Sequence, residues 1–341
     1  MKRLIIKSFL LLLPFLLLSG YFIIEDPMKI IHNTKDPTSP GVLMNDRLFV
    51  ARHLIKSKAK YNAFILGSSR SKSFKTAAWA KHLPSSSKSY HIGVNDETLY
   101  GIERKLNYLD SSLYKPKHVL LLIDHRLLSL TSDQTAHIFR EYYGFTGETA
   151  ASYYQRFLIA FLNPDFLKAY INYLRYGTIG KSANYLWDPG FTFSENNGDI
   201  FYSRMDIGIA NDSLKFYKDN AATFHNRRET TSKPLMNAEA KRLMSKIKKI
   251  FDKNNTSYKI IITPNYDFVK LHPSDVTFLE QFFRKEHVVD FSGSNEMTES
   301  LGNYYEHKHF KPYIANRVMA ISYSSQLRTK TTNIETKKTS N

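Results

Sequence analysis

Five short apolar runs, at 62–66, 89–94, 117–123, 258–263 and 287–291, constrain this chain more than any other feature. Each is rich in β-branched or aromatic residues and reads as a strand, and helical stripes lie between them. Leu99, Ile102, Leu106 and Leu109 recur at helical spacing. Leu243, Met244, Ile247, Ile250 and Phe251 do the same behind Asn237, a capping residue. Val276, Leu279, Phe282 and Phe283 form a third stripe after Pro273-Ser274. Strands alternating with helices predict an α/β domain whose parallel sheet is covered on both faces.

The amino terminus adds a second constraint. From Leu4 to Ile24, 21 residues carry one charge, Lys7, which approaches the ~20 residues needed to cross a bilayer. Lys2, Arg3 and Lys7 precede the run and Glu25-Asp26 follow it, so the amino terminus is expected inside and the rest outside. No clean small-x-small cleavage site follows, which favours a retained anchor over 1–25 rather than a removed signal peptide. Pro14 is tolerable in a membrane helix.

Residues 26–59 read as a connector. Asp36-Pro-Thr-Ser-Pro40 marks an irregular stretch, and Asn45 to Lys58 has the pattern of a short amphipathic helix. The main domain is expected over 60–326, with an insertion at about 130–232. The first part of the insertion, Ala150 to Tyr176, is aromatic and helical in pattern; Trp187 to about Asn220 shows turn signals without a period. A loop of that length is expected to act as a lid or binding element. The polar tail 327–341 reads as disordered.

Composition excludes whole classes of chemistry. The chain has no cysteine, so disulfides, thiolate catalysis and cysteine-held zinc are out. Its net charge of +17 would attract any anionic partner. No nucleic-acid motif accompanies that charge, so an anionic membrane or an acidic glycan fits better. There is no phosphate-binding loop, no dinucleotide glycine run and no zinc-protease pair; no metal or cofactor is expected.

The first apolar run ends in Gly67-Ser68-Ser69-Arg70, which places a hydroxyl at the carboxyl end of a strand, where open α/β sheets carry their chemistry. A serine hydroxyl there either caps the next helix or, given a base, acts as a nucleophile. The base has a candidate in Tyr304-Tyr-Glu-His-Lys-His-Phe-Lys-Pro312. Glu306 can accept from the Nδ1–H of His309, leaving Nε2 to face the serine. The plainer alternative is a solvated polar cluster. Asp124-His125, after the third run, could form another acid–histidine pair, or Asp124 could cap a helix.

These blocks resemble the SGNH (GDSL-type) hydrolase superfamily. Gly67-Ser68-Ser69 looks like its first block, with serine for the usual aspartate, and Glu306-His-Lys-His309 looks like its final D-x-x-H block, with glutamate for aspartate. The pattern is most similar to membrane-anchored bacterial members that serve alginate acetylation or teichoic-acid D-alanylation. The resemblance implies a three-layer α/β/α, flavodoxin-like fold of about five parallel strands. It implies Ser69 as nucleophile, His309 as general base and acid, and Glu306 as the group orienting it. Backbone amides of Ser69 and Gly93, with Asn95, would serve the oxyanion. Two departures stand out: Asn95-Asp96 replaces the second block's usual glycine, and Asp124 stands where the third block carries asparagine.

The expectation is therefore an anchored serine esterase or O-acyltransferase on the outer side of a bacterial cytoplasmic membrane. Its substrate would be a cell-envelope polysaccharide or glycolipid, and a membrane-bound acyl-transfer partner would feed it. The alternative is a non-catalytic scaffold that binds glycan or a membrane partner.

Overall fold

The computed structural model describes residues 1–32, 38, 40–177, 186–187 and 190–324. The expected disordered tail at 327–341 and most of the stretch Asp36 to Pro40 lie outside the described residues. In chain order the principal elements begin with helices α1 (Lys2–Glu25) and α2 (Asp46–Lys56), then strand β1 (Ala63–Leu66). Helix α3 (Thr76–Ala80), strand β2 (Ser89–His91), helix α4 (Leu99–Ser111) and strand β3 (His118–Ile123) follow. Helices α5 (Ala150–Phe161), α6 (Pro164–Tyr176) and α7 (Ala238–Asn254) precede strand β4 (Ser257–Ile262). Helix α8 (Pro273–Phe283), strand β5 (Val288–Asp290), and the hairpin β6 (Tyr304–Glu306) and β7 (His309–Phe310) lead to a final helix, α9, over 312–324.

The chain divides into two compact units, Met1–Ser57 with Gln134–Gly190, and Lys58–Asp133 with the chain from Phe191 onward. The second unit holds the sheet. Its five strands are parallel in the order β2-β1-β3-β4-β5. All five apolar runs of the sequence became these strands, four of them shortened by a residue or more and the fourth in chain order, 258–263, shifted back by one residue. Along β1, β3 and β4 nearly every position is buried because both faces are covered. Ala63, Ile65, Leu120, Leu122 and Ile261 meet Trp79 of α3 and Ile314, Val318 and Met319 of α9. On the other face Tyr258 stacks on Phe251 of α7, 4.7 Å between centroids.

The helices start where their caps dictate. The Thr98 side chain accepts from the Gly101 N–H at the head of α4, and Asn237 from that of Ala240 at the head of α7. Leu99, Ile102, Leu106 and Leu109 of α4 are fully buried, as are Leu243, Met244 and Ile247 of α7. Each such side chain contributes roughly 1.5–3 kcal/mol. The strand order reverses between β1 and β3, which opens a crevice at their carboxyl ends. Gly67-Ser68-Ser69 follows β1 there, and Asp124 follows β3.

The first unit is helical. α1 is long and apolar enough to cross a membrane, and none of its most apolar window is buried. Only Phe22, near its end, enters a core, with Met28, Leu48, Tyr153, Phe157 and Phe161. Asp26 ends α1 in the left-handed region, and its carboxylate accepts from the N–H groups of Ile30, Ile31 and His32 at 2.7, 2.9 and 2.6 Å. The expected helix after Asn45 is α2, with Asn45 accepting from the Leu48 N–H at 3.1 Å. Within the insertion, α5 and α6 fall where the aromatic stretch predicted helix. The stretch read as aperiodic contains two further helices, Ser203–Asn211 and Ser213–Asp219. Neither has a buried residue, so no apolar stripe announces them.

Candidate active site

The corner after β1 is tightly built. A Cβ on Gly67 would lie 2.8 Å from the Leu122 carbonyl oxygen, so the strand can turn here only with glycine. Residues Ser69–Ser73 then make a short 3-10 turn, closed by the Ser71 N–H donating to the Ser68 carbonyl at 2.9 Å. The turn deals its three leading hydroxyls to three different surroundings.

Ser68 is buried and donates to Asp124 Oδ2 at 3.0 Å; Arg70 reaches the same oxygen at 2.9 Å. Asp124 also caps the following turn by accepting from the Leu127 N–H at 2.9 Å. Burial pushes its carboxyl up, but Arg70, the Leu127 N–H and Ser68 together hold it below the ordinary carboxylate range. Of the two readings of Asp124, the cap is the one adopted. His125 beside it is lowered by burial.

Ser71 is fully buried, and its hydroxyl lies 2.9 Å from His91 Nε2. His91 Nδ1 lies 3.6 Å from Asp199 Oδ1. Asp199 is itself satisfied by the Thr76 N–H, the Thr76 hydroxyl at 2.9 Å and Asn197. Serine, histidine and aspartate thus stand in triad order with no surface exposed above 3%. Sequence reasoning missed this set. Its acid comes from the insertion, more than a hundred residues beyond the histidine, and no local spacing links the two.

Ser69 is half-buried, and among the described residues its hydroxyl makes no hydrogen bond. The β6–β7 hairpin packs against this turn. Ser73 donates to the Phe310 carbonyl, and the Phe74 and Phe310 rings meet edge to face at 5.9 Å. The hairpin pairs Glu306 with His309 across its tip, and Glu306 Oε1 is hydrogen-bonded to His309 Nδ1. The other Glu306 oxygen accepts from the Lys308 N–H at 2.8 Å.

His309 Nε2 is buried and has no hydrogen-bond partner. Burial lowers the imidazole, and the nearby Lys72 and Arg70 lower it further, against the pull of Glu306. Burial would raise Glu306, yet the His309 bond, its charge and the Lys308 N–H bring the carboxyl below its ordinary value. The pair is therefore a carboxylate beside a neutral imidazole at neutral pH. Its Nδ1–H is held by Glu306, and the lone pair of Nε2 is left open.

Gly93 follows β2 and closes on the same corner. A Cβ there would sit 2.1 Å from Ser71 Oγ and 2.8 Å from His91 Nε2, so no larger residue fits. Among the described residues neither the Gly93 N–H nor the Ser69 N–H donates to a backbone carbonyl. Asn95 is tied at its carbonyl end by Lys72 Nζ at 2.6 Å. Asp96 pairs with Arg126 through two contacts of 2.6 and 2.8 Å, which removes it from the corner's chemistry.

Tyr202 is a further neighbour that the sequence did not mark. Its ring lies 5.5 Å from that of His309, and its buried hydroxyl has no partner. Only the aromatic density of the insertion hinted at it. Among the described residues no group of three or more His, Asp or Glu side chains could hold a metal ion.

Neither a protein-family model nor a curated protein matches this chain.

Proposed function

We propose that this protein is a membrane-anchored, extracytoplasmic serine esterase or O-acyltransferase of SGNH type, acting on a cell-envelope polysaccharide or glycolipid. One observation carries the reading: a neutral histidine, oriented by a carboxylate, keeps a buried lone pair unpaired on a hairpin packed against the turn that begins at Ser69. An unsatisfied buried nitrogen costs about 1–3 kcal/mol, and this one, unlike the equally unpaired His91 Nδ1, lies on a histidine hydrogen-bonded to a carboxylate at its other nitrogen.

In that use the Ser69 oxygen attacks an ester carbonyl while His309 Nε2 takes its proton. The tetrahedral oxyanion meets the N–H groups of Ser69 and Gly93, with Asn95 as third candidate through its amide nitrogen. Collapse breaks the ester C–O bond, and the leaving alkoxide takes the proton back from His309. Water or a sugar hydroxyl then attacks the acyl-serine, passing its proton to His309, which returns it to the departing Ser69 oxygen and restores the hydroxyl. The substrate class follows from the superfamily resemblance and the anchor. The strand order β2-β1-β3-β4-β5 suits the flavodoxin-like fold that the resemblance implies.

A second reading is a non-catalytic binding protein. It is favoured by Asp124, an ionised acceptor already engaged by Ser68 and Arg70 at the position where the superfamily has asparagine. A fluorophosphonate probe on the full-length protein separates the two. The enzyme reading expects a covalent adduct that Ser69→Ala abolishes without changing the thermal midpoint. Folded protein that takes no serine-dependent adduct would leave the binding reading.

A further inference from the structure

The first unit carries an apolar groove of about 450 Å³ that the proposed chemistry does not use. One wall is the last part of α1, at Ser19, Phe22 and Ile23; the other is α5, at Tyr154 and Leu158, with Ile31 at one end. In the same unit α5 and α6 expose Ile159, Ile171, Leu174 and Tyr176, each at 58% or more of its full area.

Depth identifies what covers these surfaces, given the reading that α1 spans a membrane. The helix is about 36 Å long at ~1.5 Å per residue, against a hydrocarbon core of ~30 Å. Lys7 is its last cation, and with Lys7 at one boundary the core extends to about Asp26. Ser19, Phe22 and Ile23 then lie some 5–10 Å inside the opposite boundary (by the same ~1.5 Å rise). Tyr21, exposed near that level and stacked on the core ring of Phe161 at 6.3 Å, is of the kind that collects at membrane interfaces. Arg156, Lys168 and Arg175 stand exposed on α5 and α6, as suits anionic headgroups.

We infer that this groove holds an acyl chain of a bilayer phospholipid, and that α5 and α6 are seated in the leaflet where α1 ends. The first unit is then a membrane-interface module with its own lipid site, not a spacer.

The absence of cysteine makes the test clean. Single-cysteine variants of the full chain are spin-labelled in phosphatidylethanolamine–phosphatidylglycerol vesicles, and collision with oxygen is compared with collision with a water-soluble nickel chelate. Leu11→Cys reports on α1, Leu158→Cys on the groove, Ile159→Cys on the exposed surface of α5, and Lys215→Cys on water. The expected result is an oxygen-to-nickel ratio severalfold higher at positions 11, 158 and 159 than at 215. Native mass spectrometry should also show retained phospholipid that Ala151→Trp, which fills the groove, removes. If position 11 is in lipid while 158 and 159 match 215, the groove inference is overturned and the anchor stands. If position 11 also matches 215, the anchor reading falls and takes the inference with it. Shielding from both reagents, with dipolar broadening between labels, would mean that a second copy covers the groove and would equally overturn the lipid site.

Discussion

Two serines of one turn meet different surroundings: Ser71 is hydrogen-bonded to a histidine, while Ser69 makes no hydrogen bond and the hairpin packed on the turn holds an acid–histidine pair of its own. Ser71, His91 and Asp199 are all buried; the Ser71 hydroxyl meets His91 Nε2 and the Asp199 carboxylate is satisfied by Thr76 and Asn197, while His91 Nδ1, 3.6 Å from Asp199, has no hydrogen-bond partner. Glu306 and His309 form an acid–histidine bond, His309 Nε2 is buried without a partner, and the half-buried Ser69 hydroxyl makes no hydrogen bond. The first set ties the turn and the insertion to β2. The second is where the proposed chemistry would lie. Residue identity and order alone do not distinguish chemistry from scaffolding.

The largest effects should separate the sets in activity. Fluorophosphonate labelling should be lost in Ser69→Ala and fall by about 10⁴-fold in Glu306→Gln, where the imidazole loses its orienting charge. Ser71→Ala should keep labelling within a few-fold of the parent. A parent-like rate in Ser69→Ala together with loss in Ser71→Ala would exchange the two roles.

Stability should divide the opposite way. Ser71→Ala strands His91 Nε2 in the interior, at a cost of about 1–3 kcal/mol in urea unfolding. Ser69→Ala should stay within about 0.5 kcal/mol of the parent. Equal midpoints for both variants would break the contrast. Gly93→Ala bears on both sets, because its Cβ would meet Ser71 Oγ and His91 Nε2. Overpacking of about 1–3 kcal/mol is expected, with slower labelling as the Gly93 N–H moves.

The smallest effect is in pH. Labelling needs neutral His309, whose pKa burial lowers from 6.5, so the rate should be flat near neutrality. It should fall as the pH drops, with a midpoint below 6.5. A midpoint above 6.5 would mean that a different base is at work.

Much of this was legible in the chain. Continuous apolar runs marked the strands because strands buried on both faces need no alternation. Asn45 and Asn237 sit at helix starts for a local reason, a side-chain oxygen meeting a free N–H. Glu306 and His309 were visible because three-residue spacing spans one hairpin tip. The rest depended on distant chain. Asp199 reaches His91 only through the folded insertion, and Asp124 finds Ser68 and Arg70 only because β1 and β3 are neighbours. The segments 1–57 and 134–190 share a core through aromatic packing that has no short-range signature.

The most direct measurement is the position of a covalent fluorophosphonate adduct on the native chain. Trypsin cuts after Lys60, Arg70 and Lys72, so the peptide 61–70 carries Ser68 and Ser69, and Ser71 leaves on another. The account predicts the mass shift on 61–70, localised by fragmentation to Ser69 and absent after His309→Ala. An adduct on Ser71 or Ser68, or one that persists without His309, would contradict it.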